Sequence, residues 1–377
     1  MLATITVTPR EKLQAGLDKR FDLPAPDPRR ARTERERLER VGVARAYETT
    51  VPFDSLGKAL VEFGGDPVRM EFRKERATEE INSATFGLAL GNTIGRRIVA
   101  DYKTQDYGED LIISLKKPAK DLRGQAGCIL GYYGDLADVD PETEDYAEFA
   151  VPGEAQAPYS MNQKGNILTV TRRVAVNDDI GLIRRLILRA ARAARRTHAR
   201  FCWAPLLNNS AIYDSVALFD VAHGNLGVEA LSTSSAQDAI TAIRRQTELS
   251  SGERIQFGQT FHLWVPLELE FTAAAIRPYG PLVEERTSQD TNRVARVIPH
   301  VNALFTDPAD WILTAPPEEC ELLEMAYVDG REEPEVVLVN QPQDFLMFVR
   351  DALQYKIRHE YGGSIVEYRG AYKAVVG

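Results

Sequence analysis

The stretch 177–209 constrains this chain more than any other. Asn177, Asp178 and Asp179 carry side chains that accept hydrogen bonds from the orphan amides at a helix start. Their negative charge also suits the positive end of the helix dipole. Ile183, Leu186, Ile187, Ala190, Ala191, Ala194 and Phe201 then recur on one helical face, and no Gly or Pro from residue 182 onward interrupts the pattern before Pro205. At 1.5 Å per residue the helix spans roughly 35–40 Å, the width of a small domain. So long and one-sided a helix is a spine, and other layers must pack on its apolar stripe.

The opposite face carries Arg184, Arg185, Arg189, Arg192, Arg195, Arg196 and Arg200. Such a row invites a nucleic-acid reading. The chain's net charge of −9 argues instead for a solvated face, or one paired with acidic neighbours. With 377 residues the chain can form two or three compact units, and 44% hydrophobic with 27% charged residues is ordinary globular composition. No signal peptide and no membrane-spanning run is expected. Cys128, Cys202 and Cys320 are few and widely spaced, which suits a reducing compartment and no disulfide framework.

Residues 1–80 differ in texture. Residues 4–8 alternate like a strand, residues 23–28 are proline-rich, and residues 29–45 are dense in Arg and Glu, an exposed helix or a disordered segment. A weak helical pattern over 53–63 ends at Gly64-Gly65-Asp66-Pro67, so the region reads as an arm that needs something else to pack against. A better helix runs from Glu79 to about Tyr102. Gly87, Gly91 and Gly95 recur along it and leave a smooth face where another backbone could approach. No phosphate-binding loop accompanies them.

Short strands are expected over 111–115 and 128–133, followed by the acidic, core-poor stretch 135–158 and a β-branched strand over 166–171. This is the pattern of a protruding hairpin with a charged tip, and a loop of that size is usually functional. Asp138-x-Asp140-x-Glu142 lacks the glycine and the closing geometry of a calcium loop, so no metal is expected there. Beyond the spine, Ser232, Ser234 and Ser235 mark the start of a helix over about 236–247. Strands are expected around 261–265, 294–304, 311–313, 321–327 and 336–339, with a short helix over 267–276, and this alternation fits an α/β subdomain. The tail carries two strand-like runs, 352–359 and 364–368, joined by Gly362-Gly363.

No constellation of catalytic residues stands out. His198, His223, His262, His300 and His359 lie far apart, and none sits in a zinc motif. A hydrolase built on Asp220 and His223 would need a nucleophile elbow, which is missing. No catalytic, cofactor-binding or metal-binding residue is therefore assigned, and no enzymatic activity is expected.

Several stretches together resemble the major capsid proteins of tailed phages, in particular the Mu-type major head subunit. They are Leu90-Gly91-Asn92-Thr93-Ile94-Gly95-Arg96-Arg97, Lys164-Gly165-Asn166-Ile167-Leu168-Thr169-Val170-Thr171-Arg172, and Asn177-Asp178-Asp179 with Ile180-Gly181-Leu182-Ile183-Arg184-Arg185. They continue with Ala217-Leu218-Phe219-Asp220-Val221-Ala222-His223-Gly224-Asn225-Leu226, Leu263-Trp264-Val265-Pro266 and Glu324-Met325-Ala326-Tyr327-Val328-Asp329-Gly330. The end matches as Lys356-Ile357-Arg358-His359-Glu360-Tyr361-Gly362 and Tyr368-Arg369-Gly370-Ala371-Tyr372-Lys373. Consistent order over residues 85–377 carries the likeness, since no single motif is specific.

The resemblance implies an α+β chain of the Hong Kong ninety-seven type. Its parts would be an N-terminal arm or scaffold-like segment (1–80), a helix and strand (81–124), an E-loop hairpin (125–176), a peripheral domain with the spine (177–225), an axial domain (226–344) and C-terminal strands of the peripheral domain (345–377). It also implies a shell of hexamers and pentamers around double-stranded DNA held without sequence preference, and portal and other head proteins as partners. The expected location is the virion capsid, assembled in the bacterial host cytoplasm, with no membrane partner and no cofactor. An encapsulin-like compartment around protein cargo is the alternative within the same fold.

Overall fold

The computed structural model describes residues 7–30, 34–53, 65–66, 71–72, 83–131, 138, 148, 154–171, 182–249, 251–276, 296–339 and 352–377. Among these, in chain order, come α1 (Pro9–Arg20), α2 (Glu34–Thr49), the paired two-residue strands β1 (Gly65–Asp66) and β2 (Glu71–Phe72), and α3 (Ser83–Tyr102). Next are β3 (Ile113–Ala119), β4 (Gln125–Leu130), β5 (Glu154–Tyr159), β6 (Asn162–Thr171) and the spine α4 (Leu182–Leu207). Then follow β7 (Leu226–Gly227), α5 (Thr233–Arg244), β8 (Thr260–Val265), α6 (Glu270–Ile276) and β9 (Arg296–Val301). The chain closes with β10 (Trp311–Thr314), β11 (Leu323–Val328), β12 (Glu335–Val339), β13 (Ala352–Ile365) and β14 (Ala371–Ala374). Helix and strand mix without a regular βαβ repeat, so the class is α+β. The chain divides into two compact units, and α4 and β13 each run from one into the other.

The first unit comprises Met1–Gln105, Gln163–Arg195 and Glu332–His359. Of the strand expected over 4–8, residues 4–6 lie outside the described residues, and Thr8 is not its end but the cap of α1, accepting from the Glu11 amide at 3.3 Å while Glu11 accepts from the Thr8 amide at 2.7 Å, with Pro9 at the first helical position. Leu13, Leu17 and Phe21 then recur at four-residue spacing and are buried. The N-terminal region is expected to need something else to pack against, and its described part finds it in the core of this unit. Leu13, Leu17, Phe21, Leu23 and Phe53 join Leu90, Ile94, Ile98, Ile187, Ala191, Tyr355 and Ile357 in one core. The charge-dense α2 is helical as one of the two readings had it, and Tyr47 donates from its hydroxyl to the Leu23 carbonyl at 2.6 Å. The weak helix expected over 53–63 falls, after Phe53, outside the described residues.

A buried carboxylate sits in this core. Asp18 accepts from Gln14 at 3.0 Å and Thr93 at 3.1 Å, and pairs with Arg96. Burial pushes its pKa up against the opposing pull of Arg96. The glycines of α3 serve no tight backbone approach at Gly95, where an added Cβ would meet only the Val336 side chain at 3.9 Å. On the spine, Ile187 and Ala191 face inward as expected, but Arg195 leaves the solvated row. It donates to the Gln105 carbonyl at 3.0 Å and lies over the Tyr102 ring.

The second unit comprises Asp106–Asn162, Arg196–Arg331 and Glu360–Gly377. Its larger sheet has the order β7-β14-β10-β8-β9, with β10 antiparallel to β8 and β14, and the edge strands parallel to their neighbours. Strand β14, at the very end of the chain, thus pairs between β7 and β10. Helix α5 begins earlier than expected because Ser232, not Ser234 or Ser235, is its cap: the Ser232 hydroxyl accepts from the Ser235 amide at 3.1 Å, and the Ser235 hydroxyl from the Ser232 amide at 2.8 Å. Ala236, Ala239, Ile240 and Ile243 bury against Phe261, Leu263 and Trp311.

A second core gathers Cys202, Trp203 and Leu206 of the spine with Trp264, Ile312, Met325 and Tyr361. The Trp203 and Trp264 rings meet edge to face at 4.7 Å, with the Trp203 indole donating to the Tyr107 carbonyl and that of Trp264 to the Thr314 hydroxyl. Gly108 is required there twice over, by a φ of 73° and by a Trp264 ring 2.2 Å from where a Cβ would stand. The two tail strands expected around Gly362-Gly363 are one strand, β13. The glycines make no turn; they admit the Ser160 and Glu324 carbonyls, each 2.6 Å from a built Cβ.

Candidate functional site

The hairpin exists, but its return strand comes earlier than the sequence suggested. β4 pairs antiparallel with β5, from Gln125 opposite Tyr159 to Leu130 opposite Glu154. By composition residues 154–158 belong to the acidic tip, because Glu-Ala-Gln-Ala-Pro is poor in β-branched side chains. The alternation is nonetheless there, since Ala157 is buried between the exposed Gln156 and Pro158. Strand β6, expected as the return, pairs with β13 instead.

Polar contacts root the base of the hairpin. The fully buried Glu324 of β11 accepts from the Tyr159 hydroxyl at 2.8 Å on one oxygen and from the Lys117 ammonium at 2.8 Å on the other. Burial, reinforced by that carboxylate, drives the Tyr159 pKa up, so the phenol remains a donor at neutral pH. Glu324 therefore ties together β3, β5 and β11, and no sequence spacing signals this. Between the strands, residues 131–153 carry Asp135, Asp138, Asp140, Glu142, Glu144, Asp145 and Glu148 and no Lys or Arg. Of these, Asp138 and Glu148 are described, and both are exposed.

The Asp220–His223 pairing required by a hydrolase does not form. Asp220 accepts from the Ala222 amide at 2.8 Å and thereby shapes a turn. His223 instead places Nε2 2.8 Å from Asp214 and Nδ1 3.1 Å from the Leu218 carbonyl, and stacks on Tyr368 at 3.9 Å. Both ring nitrogens face oxygen acceptors, which clamps the ring and leaves it no nitrogen to activate a hydroxyl. A histidine pair that the sequence did not single out lies on β8 and β9. His262 Nδ1 is 2.9 Å from His300 Nε2, and His300 stacks on Trp264. Burial, then the neighbouring imidazole, lowers the His300 pKa to about 4, and burial lowers that of His262. Among the described residues no His, Cys, Asp and Glu group has metal-holding geometry, and no helix is long and apolar enough to cross a membrane.

The first unit holds a cleft of about 770 Å³ lined by Arg10, Glu11, Glu39, Arg40, Gly91 and Arg96 among others. Its charges are mixed. Elsewhere the described surface carries the rooted hairpin and exposed arginines at 184, 185, 189 and 192.

A family model for phage capsid protein matches residues 153–374. No curated protein matches the chain. Among solved structures, the capsid of an empty GTA particle shares 10% identity, over 72% of this chain and 90% of that one, at a TM-score of 0.44. The procapsid of bacteriophage JBD30 shares 13%, over 77% and 75%, at 0.41. A phage-related protein from Bordetella bronchiseptica shares 13%, over 74% and 95%, at 0.42.

Proposed function

Because the chain belongs to the phage capsid protein family, we propose that it is the repeating major subunit of a tailed-phage or prophage head. The reading has hexamers and pentamers of this one chain closing into an icosahedral shell around double-stranded DNA. Portal and other head proteins would complete the particle, and assembly would take place in the bacterial host cytoplasm. The single observation that carries it is the family match over more than half of the chain, from Gly153 to Ala374.

The parts fit that task. A shell of hexamers and pentamers asks one sequence to make slightly different contacts around unlike axes, and a long hairpin on a fixed root can do so. Glu324 supplies the root, and the acidic connection supplies a surface that attracts basic groups on a neighbouring copy. The same proposal assigns residues 125–176 to the E-loop, 177–225 with 345–377 to the peripheral domain and 226–344 to the axial domain, with β14 contributing a strand to the sheet of the last. Residues 1–80 are taken as the arm.

The test replaces residues 132–153 with a short Gly-Ser turn. The expected result is an unchanged circular dichroism spectrum, a stability change within about 1 kcal/mol, and no closed shells by electron microscopy. Normal closed shells from this variant would remove the hairpin from assembly. Particles that hold protein and no DNA would favour the encapsulin-like alternative.

A further inference from the structure

Helix α4 carries seven arginines and no carboxylate, and no Asp or Glu occurs between Asp179 and Asp214. Two of the seven are engaged. Arg184 pairs with Asp22, and the buried Arg195 gives its guanidinium to the Gln105 carbonyl and the Tyr102 ring. Arg185, Arg189, Arg192, Arg196 and Arg200 are exposed, with no carboxylate partner among the described residues. The net charge of −9 averages over the whole chain and hides this local excess. Positive charge clustered along one helix is the electrostatic footprint of a polyanion site.

The five form a row. At 3.6 residues per turn they fall within an arc of about 80°, and at 1.5 Å per residue they extend over about 22 Å. An equal length of duplex DNA presents about six phosphates on each strand. All five are Arg, whose planar fork meets two phosphate oxygens at once. No large apolar side chain is exposed among the described side chains of this helix; Ile167, Val221 and Phe271, which are, stand elsewhere. A protein partner is anchored by apolar or aromatic groups at the centre of the contact. A phosphate backbone needs only the positive charge.

We infer that the face of α4 carrying Arg185, Arg189, Arg192, Arg196 and Arg200 holds double-stranded DNA, each exposed guanidinium meeting a phosphate and no base being read. Phosphate contacts carry no sequence information, which suits a shell that encloses a duplex without preference. The inference rests on the shell-subunit reading and names the surface by which the subunit holds the enclosed duplex. The competing occupant is the acidic connection of a neighbouring copy, and the test separates the two.

The experiment titrates fluorescent duplexes of two unrelated sequences with the full chain, at concentrations too low for assembly and from about 50 to about 200 mM salt. Both duplexes should bind alike, with log affinity falling against log salt at a slope of about −4.5, or about 0.9 per phosphate contact. Arg189→Gln/Arg192→Gln/Arg196→Gln should cut the slope to about −1.8, and Arg189→Lys/Arg192→Lys/Arg196→Lys should keep it. A control that removes the same charge elsewhere, Arg10→Gln/Arg45→Gln/Arg245→Gln, should bind as the unmodified chain does. All these positions are exposed, so circular dichroism and melting temperature should report an intact fold for each variant. No duplex binding at about 50 mM salt, or a Gln variant of α4 that behaves as the control, overturns the assignment. Capture of polyglutamate without capture of duplex also overturns it, in favour of the acidic connection. Closed shells by electron microscopy without duplex binding sink this inference alone, and duplex binding by a chain that stays monomeric sinks the shell-subunit reading alone.

Discussion

The core around Trp311 and the core of the first unit differ in where their members come from. In the second unit the core around Trp311 draws every buried member from Leu231 to Ala374, inside the stretch that matches the capsid family. The first unit mixes two sources. Ile187, Ala191, Tyr355 and Ile357 lie within the match, while Leu13, Leu17, Phe21, Leu23, Phe53 and the α3 residues Leu90, Ile94 and Ile98 lie outside it. A family match can therefore describe one core entirely and another only in part. In the sequence the N-terminal region reads as an arm that needs something to pack against, and Leu13, Leu17, Phe21, Leu23 and Phe53 complete a hydrophobic core.

Removing residues 1–53 tests that difference with the largest expected effect. Five large buried side chains leave together, and each contributes about 1.5–3 kcal/mol when fully buried. The sum matches or exceeds the whole stability of an ordinary domain, about 5–15 kcal/mol. Hydrogen exchange should show α3 and β12 losing protection while α5, β8 and β10 keep theirs. Full protection of α3 in the shortened chain would show that the N-terminal helices are ornamental.

A smaller effect separates the units by pH. In the second unit the His300 pKa is lowered to about 4, against about 6.5 when unfolded. Between those values the unfolded chain binds the proton and the folded chain does not, so this group's contribution falls as pH drops from 6.5 toward 4. In the first unit Asp18 has a raised pKa, so its contribution is lost as pH rises through the folded value and regained in acid. Acidification should therefore loosen the second unit relative to the first. Replacing His300 with Gln should flatten the fall in chemical-denaturation stability between pH 6.5 and 4.5, and an unchanged slope would contradict this assignment.

Much of the fold was legible, for reasons visible in particular residues. The spine announced itself because Ile187, Ala191 and Ala194 keep helical period over several turns. Helix α1 was missed because Arg10, Glu11, Lys12, Asp18, Lys19 and Arg20 dilute the spacing of Leu13 and Leu17, although Thr8-Pro9 with Glu11 was a readable start signal. The return strand β5 is hidden by its alanines, and Gly362-Gly363, which in the sequence join two strand-like runs, serve a close approach that depends on distant carbonyls. The Glu324 root and the His262–His300 pair were invisible for the same reason. Lys117 and Glu324 are far apart along the chain, and only strand pairing brings them together.

The most direct measurement is electron microscopy of the purified, unmodified protein together with its sedimentation profile. The account predicts closed shells with hexameric and pentameric rings of this one chain, weakening as salt rises because part of the contact is between exposed charges. A single monomeric species across concentration and salt would contradict it.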